Sequence, residues 1–232
     1  MTNYIVLGLL LSCTQFTNAM FRGLNATNKQ FPYIVSIHIL DARFGLRSPY
    51  CSGSILNEKA VLTAAHCCTA DLQFLSKKVL AGTTDWTKHE MAQLVDIDSF
   101  MQHPNWIGVD KLYANPDRVS VAYDACIMKL KSPGLKLNGK AKAINLGGKV
   151  PKVGTKCTVA GWGDTQPTLG PLKKSRHLMY LDINTLSKKG CQYPPSWEAR
   201  KSLDRTVNVI FEENVQVCAG SKVRPWFNIL NA

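Results

Sequence analysis

Short runs of alternating apolar and polar residues constrain this chain more than any other feature. Ile34–Leu40, Ala60–Ala64, Lys78–Gly82, Gln93–Met101, Ala125–Leu130, Thr155–Gly161 and His177–Ile183 each alternate, and each ends at Gly, Pro, Asn or Asp. A two-residue period puts one face of a strand against a core and the other against water, and repeated turn signals between such runs predict an all-β sandwich or barrel. Helical periodicity is scarce, with one short candidate at Ser187–Gln192. An apolar content of 45% over 232 residues is enough for one or two packed cores and too high for a disordered chain. The sequence contains no repeat of fixed period and no low-complexity linker.

The first nineteen residues read as a leader. Tyr4 to Cys13 is an apolar run too short to span a bilayer, and Thr17-Asn18-Ala19 offers small side chains for signal cleavage. Residues 1–19 are therefore expected to be removed, freeing Met20 as the mature N-terminus of a secreted, extracellular protein. Export makes the cysteines meaningful, because thiols pair in an oxidising compartment. With Cys13 lost in the leader, seven of the eight cysteines remain, which predicts one thiol without an internal partner. Asn25-Ala26-Thr27 is a glycosylation sequon.

The formal charge of +12 favours anionic partners such as sulfated glycans, acidic proteins or membrane surfaces. Its basic residues are dispersed rather than clustered, so solubility accounts for the charge equally well, and nucleic-acid binding is not expected. Metal-ligand spacings, phosphate loops and cofactor motifs are all lacking, so neither cofactor nor metal is expected.

The sharpest local signal is Leu-Thr-Ala-Ala-His-Cys at Leu62–Cys67, with Cys51 sixteen residues upstream in Cys-Ser-Gly-Ser-Ile-Leu. A strand delivering His66 to a tight turn, pinned by a Cys51–Cys67 disulfide, would hold an imidazole as a general base requires. Four further motifs follow in order. They are His103-Pro104-Asn105-Trp106, Tyr123–Leu130 (Tyr-Asp-Ala-Cys-Ile-Met-Lys-Leu), Cys157–Gly163 (Cys-Thr-Val-Ala-Gly-Trp-Gly) and Val217–Gly220 (Val-Cys-Ala-Gly). With Phe31–Ile37 ahead of them, these resemble the chymotrypsin/trypsin-like serine proteases over nearly the whole mature chain.

The resemblance implies two antiparallel six-stranded β-barrels, the first over residues 20–140 and the second over 141–232. It implies catalytic roles for His66 and Asp124, the carboxylate fixing the imidazole's tautomer and stabilising its charged form. Asp110 and Asp117 are the weaker candidates for that carboxylate. Cys191 and Cys218 look like a short-range pair of the second barrel, and Cys157 looks like the partner of a cysteine beyond the nucleophile, hence the unpaired thiol. For Cys68 and Cys126, which flank His66 and Asp124, a mutual bridge is expected, the alternative being two free buried thiols.

The family's Gly-Asp-Ser-Gly-Gly segment occurs nowhere in these residues. The only Gly-Asp is Gly163-Asp164, followed by Thr, and Ser221 lies too close to Cys218 to serve. Loss of a nucleophilic serine alone costs about 10⁶ in kcat in a well-dissected protease. The expectation is therefore a second barrel incomplete at its C-terminal end, with an open sheet edge, and a chain inactive as written. Such a chain would be a truncated or mis-spliced form of a secreted endopeptidase acting on proteins or peptides. Lys222-Val223-Arg224 can be encoded with an intron-donor-like sequence where the resemblance stops. The competing reading is a non-catalytic homologue that binds proteins as a cofactor or decoy.

Overall fold

The computed structural model describes residues 23–68, 76–107, 119–120, 122–163, 174–187, 209–210, 217–221 and 224–229. The leader, Met20, Asp110, Asp117 and Cys191 lie outside the described residues, as does the helix candidate beyond Ser187.

Among the described residues, fourteen strands account for nearly all the regular structure. In chain order they are β1 (Leu24–Asn25), β2 (Ile34–Asp41), β3 (Gly45–Leu46), β4 (Cys51–Asn57), β5 (Ala60–Thr63), β6 (Ser76–Ala81) and β7 (Gln93–Gln102). There follow β8 (Val119–Ser120), β9 (Cys126–Leu130), β10 (Lys156–Gly161), β11 (Met179–Thr185), β12 (Val209–Ile210), β13 (Val217–Ser221) and β14 (Arg224–Ile229). Each of the seven alternating runs forms a strand, with ends shifted by no more than two residues. Among the described residues the 3-10 turns Ala65–Cys68 and Trp86–Met91 interrupt the pattern.

The first unit is a closed barrel. Strands β2, β4, β5, β9, β7 and β6 pair antiparallel in that order, and β6 returns to pair with β2 from Val35↔Ala81 to Leu40↔Ser76. Closure removes the free edge that an open sheet presents. Alternation shows best in β9, where Cys126, Met128 and Leu130 are buried and Lys129 is exposed. Inside the barrel Val35, Ile37, Ile55, Val61, Val79 and Met128 are fully buried in one cluster. Each such aliphatic side chain contributes about 1.5–3 kcal/mol on removal from water. The lack of a side chain at Gly53 lets β4 lie close to β5, since a Cβ there would fall 2.6 Å from Val61 Cγ1 and 2.9 Å from the Leu62 carbonyl.

Strand β2 departs from simple alternation, because Val35, Ser36, Ile37 and His38 are all buried. Ser36 and His38 lie on its outer face, where the His38 ring nitrogens contact Ser36 Oγ at 2.8 Å and the Arg47 carbonyl at 2.7 Å. The Trp86 ring lies 5.8 Å from that imidazole. Burial disfavours the charged form and pulls the His38 pKa down, against the pull of the Arg47 carbonyl. His38 is thus a satisfied core histidine.

The second unit is a sheet around β11, which pairs with β10 along one side from Lys156↔Asn184 to Gly161↔Met179. Its other side takes β1 at one end and β13 at the other, and β14 lies outside β13. The apolar residues Trp226, Phe227 and Ile229 belong to β14. Two short strands pair in parallel, Val209↔Val119 and Ile210↔Ser120.

The two units meet at Asp85. Its buried carboxylate takes three charge-assisted hydrogen bonds from the Arg176 guanidinium, at 2.9 to 3.1 Å. Around it, the Trp86 indole donates to the Ser175 carbonyl and the Trp162 indole to the Thr84 carbonyl, both at 3.1 Å. The guanidinium holds the Asp85 carboxyl well below the usual carboxylate range, although burial opposes this. No helix among the described residues is long and apolar enough to cross a membrane.

Candidate active site

The site forms where two barrel strands end side by side. Strand β5 runs antiparallel to β9, with Thr63 opposite Cys126. Just past the end of β5, the 3-10 turn Ala65–Cys68 carries His66, and just before the start of β9 comes Asp124. Residues 58 apart in sequence are therefore neighbours in space. Asp124 Oδ2 accepts from His66 Nδ1 at 2.7 Å, and Asp124 Oδ1 accepts from the His66 backbone N–H at 2.8 Å.

The two groups differ sharply in burial. Asp124 has 1% of its side chain exposed, whereas His66 has 50%. A buried carboxylate needs partners, and these two donors supply them. Because a carboxylate only accepts, Nδ1 carries the ring proton, which leaves Nε2 as the nitrogen able to take a proton from an incoming group.

The backbone before Asp124 is constrained. Tyr123 takes φ of 62°, uncommon for a residue with a Cβ, and its ring stacks on His103 at 4.8 Å. The Ala125 N–H donates to the Tyr123 carbonyl at 2.7 Å, and the His103 N–H to the Ala125 carbonyl at 2.8 Å. On the opposite flank, Gln102 Nε2 donates to the carbonyls of Ala65 and Cys68, at 2.9 and 3.2 Å. Tyr50 reaches the Cys67 carbonyl at 3.5 Å, and burial pushes its phenol up to about 12, so it stays protonated near neutral pH.

Disulfides join Cys51 to Cys67 and Cys68 to Cys126. Cys218 is also disulfide-bonded. Cys157 is the free cysteine among the described residues, half-buried, with its sulfur 3.7 Å from the Thr155 carbonyl. Asn25 is exposed on β1. The metal-ligating types that cluster among the described residues are Cys51, His66 and Cys67, within 4.8 Å of one another. Their two sulfurs are bonded to each other, which leaves no thiolate to hold an ion.

Sequence reasoning named His66, Asp124 and the cysteines but missed Gln102 and the Asp85–Arg176 contact. Gln102 ends an ordinary alternating strand, and its partners lie more than thirty residues earlier, so no local signal singled it out.

Comparison with known proteins shows the family and the fold. The family model described as Trypsin matches residues 20–224. Submandibular glandular kallikrein-9 of Rattus norvegicus is 28% identical over 228 residues, which cover 94% of this chain and 76% of the kallikrein. Trypsin beta of Drosophila erecta is 28% identical over 177 residues, or 76% of this chain and 61% of that protein. Among solved structures, mouse neuropsin, a serine protease, superposes with a TM-score of 0.61 at 22% identity, over 87% of this chain and 75% of neuropsin. At that identity the superposition speaks for the chymotrypsin fold alone. A family match over most of the chain, joined to this fold, settles the membership: the chain belongs to the trypsin family of serine proteases.

Proposed function

We propose that these residues carry the proton-handling half of a secreted serine endopeptidase, with His66 as general base and acid and Asp124 as its orienting carboxylate. The observation that supports this most directly is the double hydrogen bond from buried Asp124 to the His66 ring and backbone. In acyl transfer from a peptide, a hydroxyl oxygen attacks the carbonyl carbon while its proton passes to imidazole Nε2. The imidazolium, steadied by the carboxylate, then gives that proton to the leaving amine. Protein or peptide substrates follow from the family.

The attacking oxygen and the amide donors for the oxyanion are not supplied by any Gly-Asp-Ser segment of these 232 residues. A polypeptide of these residues alone is therefore proposed to be inactive. Treated with a fluorophosphonate probe, it is expected to remain unlabelled, whereas a secreted form that continues from Lys222 into a Gly-Asp-Ser-Gly-Gly segment in place of residues 223–232 is expected to label. Covalent labelling of the 232-residue polypeptide would overturn the proposal.

An extracellular setting is supported by the two disulfides around His66, which persist in oxidising compartments. N-terminal sequencing of secreted material is expected to begin at Met20, and any other start removes the assignment of residues 1–19 as leader. The alternative, a non-catalytic binding homologue, is disfavoured by the intact dyad, because a protein that only binds has no use for a buried carboxylate aimed at a half-exposed imidazole. The intact mass of the secreted protein separates the two readings. A mass equal to Met20–Ala232 favours the homologue, and one several kilodaltons greater favours the enzyme.

A further inference from the structure

We infer that the Cys68–Cys126 disulfide is a positioning device that sets the separation between His66 and Asp124. The inference rests on reading those two residues as a functional pair.

Consider what one bridge leaves free. Cys51–Cys67 anchors the His66 turn to β4, on the side of the turn away from Asp124's strand. With that anchor alone, the Ala65–Cys68 turn keeps a pivot, and rotation about it moves the imidazole towards or away from the carboxylate. The next residue, Cys68, is tied to Cys126, the first residue of the strand that Asp124 precedes. Consecutive cysteines thus fasten the turn to two different strands, and two anchors remove the pivot.

The symmetry of the second bridge matters as much as its existence. Cys68 lies two residues after His66, and Cys126 two residues after Asp124, so the covalent link spans the same gap as the Nδ1–Oδ2 hydrogen bond. Both cysteines are buried, at 0% and 1% exposure, where neighbouring atoms hold the bridge still. Gln102, the residue opposite Cys126 on β7, hydrogen-bonds to the carbonyls at both ends of the same turn. On the carboxylate side, Tyr123 holds a left-handed backbone conformation that persists only when its surroundings over-determine it. A covalent anchor three residues later helps to supply that constraint.

The test compares the full chain with its C68A/C126A and C68V/C126A variants, the second restoring buried volume. Proton NMR is recorded well below the unfolding midpoint of each protein, with His66 isotopically labelled. In the parent chain the Nδ1 proton shared with Asp124 is expected as a sharp, far-downfield resonance. In both variants it is expected to broaden and to exchange with water roughly tenfold faster or more, as for a site that opens locally more often. A bridge that merely stabilises the fold lowers the melting temperature and leaves this resonance untouched. An unchanged resonance in either folded variant therefore overturns the inference. Failure of both variants to fold also overturns it, because the bridge is then a staple for the whole barrel. Absence of the resonance from the parent chain, by contrast, counts against the His66–Asp124 pair itself.

Discussion

The first barrel and the second sheet start from similar strands and reach different degrees of closure. In the barrel, β6 returns to β2, the aliphatic cluster is shut inside, and two disulfides bracket the His66 turn. In the second sheet, β10 pairs with β11 alone among the described strands, and most of its residues are half-buried or exposed. Its thiol at Cys157 is free. His66 and Asp124 therefore both come from the region whose geometry is enclosed and cross-linked. The proton transfer proposed for this pair needs this setting, since its hydrogen bond tolerates little displacement.

The comparison can be broken by substitutions in order of expected effect. Ile37→Ala opens a cavity at the centre of the closed barrel and is expected to cost about 3–4 kcal/mol in urea unfolding. A loss under 1 kcal/mol would mean that the barrel core is looser than its burial implies. Replacing Cys68 and Cys126 together by Ala frees a loop of 58 residues in the unfolded chain and is expected to cost about 2–4 kcal/mol. Thermal unfolding under non-reducing conditions measures it.

Arg176→Ala tests the joint between the units and is expected to cost roughly 2 kcal/mol, because Asp85 stays buried without its guanidinium. The joint also carries a pH signature of known sign. The folded-state pKa of Asp85 is depressed below its unfolded value of about 3.9, so the stabilisation is fully present above that value. It is lost progressively as the pH falls from about 4 towards the folded-state value. Melting temperatures of the parent and R176A are expected to converge below pH 4, and a constant gap down to pH 2 would remove Asp85 as the cause.

The smallest effect is expected at Cys157→Ser. The thiol is half-buried and makes only a long sulfur contact, so the change in stability is expected to stay within about 0.5 kcal/mol. The parent is expected to react with a thiol reagent at Cys157 without prior unfolding. A loss of several kcal/mol, or an inert thiol, would place Cys157 in a tighter environment than the contrast between the two regions allows.

Much of the fold was legible because two-residue alternation is a local property, and β2, β7 and β9 each carry it within a single window of sequence. His66 was legible for a related reason, since its strand, turn and flanking cysteine are contiguous. Asp124 was harder to read, being one of several aspartates near a polar loop, and only resemblance raised it above Asp110 and Asp117. The Arg176–Asp85 contact was not legible at all. An exposed-looking arginine and an aspartate between Thr84 and Trp86 acquire meaning only when two units bring them within hydrogen-bond reach. Burial of Ser36 and His38 escaped notice for the same reason, because Trp86 covers the outer face of β2 from a distant part of the chain.

By itself, then, the sequence determined an antiparallel β protein, the residue types of a histidine–aspartate pair and a supply of cysteines to secure them. Alternation, turn residues and contiguous motifs all act over a few neighbouring residues. The tertiary structure brings Asp124 to His66 and Cys68 to Cys126, as expected, and it alone decided that Gln102 meets the turn and Arg176 meets Asp85. Those pairings depend on barrel closure and strand register, which residues far apart in the chain set together.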